Sequence, residues 1–99
     1  MRYIVTVRGT LKGTEQQARE VHDATVKKIS PTSKPMGNIS HQAYLDTKNP
    51  KEFVSFDVWD NLESIQKLYS DPKLGEEFGK LFDGMPTVTV LKDPGWFQF

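Results

Sequence analysis

His41 and Asp57 are the two titratable residues that we select as candidates for acid–base chemistry. Histidine is the usual proton acceptor near neutral pH, and a neighbouring carboxylate orients its ring and raises its basicity. The two residues fall in consecutive strand-like runs, ISHQAYLD and EFVSFDVW. If the runs pair with Leu45 opposite Phe53, then His41 lies opposite Asp57 on the same face. A slip of one residue would turn His41 to the other face and separate the pair.

Aromatic and small polar side chains near this pair are candidates for contact with a substrate. They are Trp59, Phe53, Ser55, Tyr44 and His22. Trp59 ends its run just before a helix cap, so filling the seam between two layers is the alternative role. For His22 and Tyr44 the alternatives are a hydrogen-bonded boundary position and a core position with an outward hydroxyl. Asp57 could instead be a structural acceptor for the backbone or for Arg8.

The strands that would position these residues follow from short runs rich in β-branched and aromatic residues. Four runs are predicted as strands, at residues 2–8, 39–46, 52–59 and 87–91. The Asn49-Pro50 pair is a turn signal, so the two middle strands should form a hairpin. In the register that joins His41 to Asp57, Ile39 would lie opposite Trp59.

The first helix has a recognisable start and a recognisable stop. Thr14 and Gln17 have the spacing of a capping box, which predicts a helix from about residue 15 to 29. Its inward stripe has helical periodicity and consists of Ala18, Val21, His22, Thr25 and Ile29. Proline lacks the backbone N–H of a helix interior, so Pro31 should prevent the helix from continuing.

The second helical region is predicted in two parts. Asp60 or Asn61 can cap a helix that keeps its apolar spacing up to Ser70. A new helix then starts, with Asp71 as the cap and Pro72 at the first helical position. The resulting order, β-α-β-β-α-β, is typical of an α+β ferredoxin-like protomer with a four-stranded antiparallel sheet.

Apolar surface remains uncovered in this arrangement. Both helices pack on one face of such a sheet, yet the strand at 52–59 has two largely apolar faces. The chain also stops in the aromatic tail 93–99, whose apolar side chains are Trp96, Phe97 and Phe99. We expect a second copy to cover the open face and these three residues to lie at the dimer interface. A lid over a ligand is the alternative for the tail.

Composition excludes several classes of function. The 99 residues suit one domain, residues 1–99, and 13 basic residues balance 13 acidic ones, which disfavours nucleic-acid binding. Cysteine is absent, and the start of the chain lacks a long apolar run. We therefore expect a cytoplasmic protein without a membrane partner. The two histidines, nineteen residues apart without clustered carboxylates, form no recognised metal-ligand spacing.

A family resemblance appears in the second half of the chain. The hairpin ends in Asp57-Val58-Trp59, and the helical region that follows is broken at Ser70-Asp71-Pro72. This pattern resembles the antibiotic biosynthesis monooxygenase group of the dimeric α+β barrel superfamily. The resemblance implies a homodimer and, for its monooxygenase members, oxidation of an electron-rich phenol or hydroquinone by O₂ without a bound cofactor. The superfamily holds many other activities, so the resemblance is more specific for fold than for reaction.

These observations give one leading hypothesis and two alternatives. The leading hypothesis is a monooxygenase acting on a quinol-like or polyketide-like aromatic, in which Trp59 positions substrate and His41, helped by Asp57, assists deprotonation. The family sites that resemble this one tend to combine Trp with Asn, Tyr and Arg, whereas Ser55 stands where Asn is expected and no cavity Arg is evident. The main alternative is a non-catalytic ligand-binding or structural homodimer. A haem-degrading barrel is the lesser one, since it would have to recruit His22 or His41 as axial ligand.

Overall fold

The computed structural model describes all 99 residues. Its four strands are β1 (Tyr3–Thr10), β2 (Asn38–Leu45), β3 (Glu52–Trp59) and β4 (Thr87–Lys92). Its three helices are α1 (Glu15–Ser33), α2 (Leu62–Tyr69) and α3 (Pro72–Leu81). The strands form one antiparallel sheet in the order β2-β3-β1-β4. This is the ferredoxin-like α+β arrangement, so the predicted fold class is confirmed.

The register between β2 and β3 decides which side chains share a face. Leu45 pairs with Phe53 and His41 pairs with Asp57, as the hairpin pattern predicts. The prediction for Ile39 is wrong, because an irregularity between residues 38 and 40 leaves it unpaired and sets Asn38 opposite Trp59. The Asn38 side-chain amide donates to the carbonyls of Ser40 and Val58, both at 3.1 Å, and so stabilises the bulged backbone.

The hydrophobic core lies between one face of the sheet and the three helices. Its most deeply buried side chains are Trp59, Phe82, Ile65 and Val5. Phe82 packs edge-on against Phe53 and Phe78, with ring centroids 5.4 and 5.9 Å apart. Gly9 allows this arrangement, since a Cβ atom there would stand 2.6 Å from a ring carbon of Phe82. The absence of a side chain in β1 therefore makes room for a core aromatic.

Helix α1 begins as predicted and ends later than predicted. Thr14 Oγ1 accepts from the Gln17 backbone at 3.1 Å, and the Gln17 side chain accepts from the Thr14 backbone at 2.9 Å. The predicted stop at Pro31 is wrong, because the helix runs through the proline for one more half-turn. The Lys34 backbone N–H donates to the Ser30 carbonyl at 3.0 Å, so helical hydrogen bonding resumes after the one donor that proline lacks.

The two shorter helices begin at side-chain caps. Asn61 caps α2, and its Oδ1 accepts from the Ser64 backbone at 3.0 Å. Asp71 caps α3 by accepting from the Lys73 backbone at 2.9 Å, and a proline follows it at the start of the helix. None of the three helices combines the length and the apolar composition that crossing a membrane would require.

The sheet face opposite the helices is open and carries a band of apolar side chains. Phe56 and Tyr44 pack edge-on at its centre, and the Phe56 side chain is 43 % exposed. Ile4, Val54, Val58 and Leu91 share this face by register. The tail leaves the sheet at Asp93, whose backbone N–H donates to the Arg2 carbonyl at 2.8 Å. Beyond it the aromatic residues of the tail contact little of their own chain, and Trp96 is 79 % exposed.

Candidate active site

A cavity of about 270 Å³ lies between the helix-facing side of the sheet and the three helices. Strands β2 and β3 supply its floor, and the helices supply its walls. The lining residues that could take part in chemistry or recognition are His22, His41, Phe53, Ser55, Asp57 and Tyr69. Half of the residues around the cavity are hydrophobic, so an apolar ligand with a few polar groups would suit it.

His41 and Asp57 are hydrogen-bonded across the β2–β3 ladder. His41 Nδ1 contacts Asp57 Oδ1, and only 25 % and 12 % of the two side chains is exposed. A carboxylate can only accept, so His41 Nδ1 carries a proton and Nε2 is the nitrogen left to accept one. The contact that the spacing predicts is therefore present, and the catalytic role of the pair stays a prediction.

His22 extends this pair into a longer chain of contacts. Its Nε2 lies 2.9 Å from Nε2 of His41, and its Nδ1 lies 3.0 Å from Oδ1 of Asp23. Sequence reasoning placed His22 near the site but missed its contact with His41. The available signal was that both histidines face inward, one from α1 and one from β2. No group of three or more potential metal ligands occurs in the chain.

The second oxygen of Asp57 faces a phenol. Tyr69, at the end of α2, donates its hydroxyl to Asp57 Oδ2 at 3.4 Å. Burial, and then the negative charge of Asp57, raise the pKa of Tyr69 far above its usual range. Tyr69 is therefore a neutral donor at any physiological pH. It was not among the predicted site residues, because its spacing in the sequence marked it only as part of an apolar helix face.

Two of the predicted contact residues lie where expected. Ser55 is 3 % exposed and lines the cavity floor between the positions of Phe53 and Asp57. The Phe53 ring packs against His22 with centroids 5.8 Å apart. The side chains of both residues can therefore reach a ligand in the cavity, and their role in binding one stays a prediction.

Trp59 lies elsewhere, so its predicted place in the cavity wall is corrected, and Tyr44 lines a second cavity, described below, instead of this one. Trp59 is fully buried in the core, and it lines no part of this cavity. Its indole Nε1 has no hydrogen-bond partner. Tyr44 pairs with Val54 in the ladder, so its ring packs on Phe56 at the open face. Side chains alternate along a strand, and Tyr44 is one residue out of phase with Phe53 and its partner Leu45.

A buried carboxylate ties α1 to α3 beside the cavity. Glu77 Oε1 accepts from Lys28 at 2.7 Å and from Lys80 at 3.3 Å, while Oε2 accepts from Thr25 at 3.1 Å. The hydrogen bond from Lys28 is the main reason that the pKa of Glu77 lies below its usual value. The helix pair is thus held by an ionised side chain that sequence reasoning missed.

A second cavity, of about 440 Å³, lies on the other side of His22. Ala18 and Arg19 of α1 and Ala43 and Leu45 of β2 contribute to its lining. His22 and Phe53 line both cavities, so their side chains form part of the wall between the two.

Residues 4–74 match the family model described as antibiotic biosynthesis monooxygenase. The chain belongs to this family. The match ends within α3, so it includes the hairpin and every polar residue of the His22–Asp57 contacts. The resemblance inferred from the sequence is confirmed. No curated protein matches the chain.

Solved structures with the same fold cover nearly the whole chain. SnoaB, a cofactor-independent oxygenase from Streptomyces nogalater, is 12 % identical, with a TM-score of 0.75 over 96 % of this chain and 95 % of its own. A conserved protein from Methanosarcina mazei Go1 is 16 % identical, with a TM-score of 0.69 over 93 % and 92 %. Rv0793 from Mycobacterium tuberculosis is 20 % identical, with a TM-score of 0.67 over 99 % and 100 %. Identities this low establish the fold alone.

Proposed function

We propose that this protein is a cofactor-independent monooxygenase that oxidises a small quinol-like or polyketide-like aromatic with O₂. The observation that carries the proposal is the His41–Asp57 hydrogen bond in the floor of a largely apolar cavity. Membership of the monooxygenase family and the shared fold with SnoaB, a cofactor-independent oxygenase, support it.

The chemistry needs a base more than it needs a cofactor. Removal of the phenolic proton makes the ring an electron donor that can reduce O₂ directly. The two radicals combine at a ring carbon to form a peroxide, and loss of water leaves a carbonyl group there. One oxygen atom enters the product and the other leaves as water, while the C–H bonds of the substrate supply the electrons. The protein has to take the proton, stabilise the anion and exclude water.

The cavity offers groups for each of these tasks. His41 accepts the phenolic proton on Nε2, since its Nδ1 is held by Asp57. In the structure this nitrogen contacts His22, so it accepts the phenolic proton once that contact has opened. Tyr69 is a neutral donor that can face the developing phenolate. Phe53 provides an apolar surface for the substrate, and Ser55 provides a small polar group beside the ring of Phe53.

We propose that the working form is a homodimer that closes into an α+β barrel. The exposed apolar side chains on the open sheet face, with Phe56 at their centre, need a cover. A second copy presents the same surface and satisfies a two-fold contact. The three tail aromatics, Trp96, Phe97 and Phe99, then pack on the partner instead of facing solvent.

A non-catalytic ligand-binding homodimer is the second candidate, and one observation favours it. Both ring nitrogens of His41 are already engaged, one by Asp57 and one by His22. Polar groups that satisfy each other in this way can be purely structural. In that case the cavity would bind a small aromatic without changing it.

Oxygen uptake by the purified, metal-free protein tests the proposal. A panel of hydroquinones and anthrones should include a substrate consumed faster than with heat-denatured protein. His41→Ala should lower the rate by about 10²-fold or more, because general-base catalysis contributes about that much. Asp83→Asn, which removes an exposed carboxylate away from the cavity, should leave it unchanged. Saturable ligand binding without uptake by any panel member would favour the binding protein. Full turnover by a folded His41→Ala variant would remove His41 from the mechanism.

A further inference from the structure

His22 and His41 meet end to end. Their Nε2 atoms are 2.9 Å apart, the ring centroids are 5.1 Å apart and the ring planes differ by 24°. A centroid separation this much longer than the nitrogen separation means that the two nitrogens lie between the rings, close to the line that joins the centroids. The distance is that of an ordinary N–H to N hydrogen bond. One of the two Nε2 atoms must therefore carry a proton, because two lone pairs facing each other would repel.

The far side of each ring faces a carboxylate. His41 Nδ1 contacts Asp57, and His22 Nδ1 lies 3.0 Å from Asp23. Ionised carboxylates only accept hydrogen bonds, so both Nδ1 atoms carry protons as well. Four ring nitrogens then hold three protons, whereas two neutral imidazoles hold only two. The arrangement is that of an imidazole and an imidazolium sharing a proton, with one positive charge between them.

A metal ion between the rings does not fit this geometry. Zinc and imidazole nitrogen are bonded at about 2.0 Å, and the two lone pairs must converge on the ion. Half of the 2.9 Å separation between the Nε2 atoms is shorter than such a bond. The shared proton accounts for the contact without moving either ring.

We infer that His22 and His41 act together as one two-ring base with a proton exit to the surface. A substrate proton enters at His41 Nε2 and is shared with Nε2 of His22. Its charge is released when His22 gives its Nδ1 proton to water beside Asp23, a half-exposed carboxylate that stays ionised. Exchange of the remaining proton of His22 from Nε2 back to Nδ1 through this water then restores the starting state. His22 acts through His41, so it is a positioning residue for proton transfer. The contacts in the structure correspond to the proton-loaded state of this pair.

The charges around the pair distinguish its buried end from its surface end. On the cavity side, Asp57 from β3 is held by Tyr69 from α2 and stabilises the loaded rings. On the surface side, Asp23 lies 3.8 Å from the exposed guanidinium of Arg19, its neighbour on α1. Glu77, the charged group that α3 brings to the cavity, is neutralised by its two lysine partners. The two ends of the pair therefore differ, with a buried carboxylate inside and a hydrated one outside.

Loss of the third proton opens the pair. With two protons on two rings, one of the three contacts must lose its hydrogen bond, because two carboxylates and one Nε2–Nε2 contact need three donors. The contact between the rings is the one that leaves His41 Nε2 free while both carboxylates keep their donors. This free nitrogen is the base required above, so the catalytic part of the inference rests on the proposed function. The count of three protons on the two rings does not depend on the proposed function.

Nitrogen-15 NMR of the ring atoms tests the count directly. The two rings should show three protonated nitrogens and a shared proton far downfield. His22→Gln should abolish the shared proton and change the nitrogen-15 shift of His41 Nε2. Glu20→Gln, an exposed substitution on the same helix, should change neither. Two rings with no proton between them, and a His41 spectrum unchanged by His22→Gln, would overturn the inference.

Activity provides the second readout. If the protein consumes oxygen with a substrate, His22→Gln should lower the rate about tenfold, less than loss of the base itself, and should displace the pH profile. A lower rate with an unchanged pH profile would reduce His22 to a structural role. The absence of any turnover would refute the proposed function and leave the NMR count to decide proton sharing. Turnover without a shared proton would refute the inference alone.

Discussion

The hydroxyl of Tyr69 lies 3.4 Å from Oδ2 of Asp57, so that a helix and a strand share one carboxylate. The other oxygen of Asp57 binds His41, on the neighbouring strand. One side chain therefore connects β2, β3 and α2, and its orientation depends on contacts from both sides. Because Asp57 forms part of the cavity floor, the same contacts also fix the position of that part of the floor.

Tyr69 should make the stability of the protein fall in alkali. Burial raises its pKa in the folded state, whereas in the unfolded chain the phenol ionises near pH 10. The folded state then binds the proton more tightly, so the free energy of unfolding stays unaffected below about pH 10 and decreases as the pH rises above it. Urea unfolding of Tyr69→Phe between pH 8 and pH 11 should show a shallower decrease. Tyr44→Phe, at a half-exposed ring, should keep the original slope. Equal slopes in wild type and Tyr69→Phe would contradict the assignment.

Glu77 should contribute to stability at neutral pH and lose that contribution in acid. Its pKa is lowered chiefly by the hydrogen bond from Lys28, so its contribution is present above about pH 4.5 and disappears as the pH falls through the folded-state value. Glu77→Gln should lower the free energy of unfolding by about 1–2 kcal/mol at pH 7, a modest loss because both lysines are largely exposed.

Glu76 is the matched control for this measurement. It precedes Glu77 on α3, is exposed and forms no ion pair within the chain. Thermal unfolding at pH 7 and pH 4 should separate Glu77→Gln from wild type mainly at pH 7, with Glu76→Gln close to wild type at both. A Glu77→Gln protein as stable as Glu76→Gln would show that the helix pair does not depend on the ion pairs.

A charge introduced on the open sheet face should weaken the dimer and leave the fold of the monomer unchanged. Phe56→Asp places a carboxylate where the proposed partner packs, yet the side chain is partly exposed in the isolated chain. Analytical ultracentrifugation should show a dissociation constant weaker by about 30-fold or more, since interface hot spots contribute about 2 kcal/mol or more. Circular dichroism should show retained secondary structure. Lys12, which lies outside the sheet, offers a control in Lys12→Asp. An intact dimer in the Phe56→Asp variant would place the interface elsewhere.

Removal of residues 94–99 should weaken the dimer or cause aggregation. The truncated chain keeps Asp93 and its backbone bond to Arg2, so β4 stays anchored. It loses the tail aromatics that we propose to pack on the partner. Light scattering at several protein concentrations would detect either outcome. A dimer of unchanged affinity whose ligand binding is altered would identify the tail as a lid.

Local sequence patterns predicted the helices and strands well. They failed where a rule for one residue type ignored the surrounding structure. The capping box at Thr14 and the Asp71-Pro72 start are present because they depend only on neighbouring backbone groups. The proline rule predicts a stop at Pro31, but this residue removes a single donor, and helical hydrogen bonding resumes at Lys34. The bulge at Ile39 was invisible, since it depends on an amide side chain that bonds across two strands.

The sequence predicts only those parts of the site that follow from the alternation of side chains along a strand. The register that joins His41 to Asp57 follows from the period of two, and so does the correction for Tyr44. The contact between His22 and His41 depends on how far α1 lies above β2, which no local pattern specifies. Residue type predicts a ligand contact for Trp59, although its position at the end of β3 buries it in the hydrophobic core.

Gly9 links the size of the cavity to a position that does not line it. Any side chain there would collide with Phe82, whose ring supports Phe53 and Phe78 in the cavity wall. A methyl group at residue 9 would therefore push the aromatic stack toward the bound molecule and reduce the space for it. Within a lineage, substrate size could be retuned by paired exchanges at residues 9 and 82 while every polar group of the site stays unchanged. The same paired exchanges are available for engineering the size of the cavity.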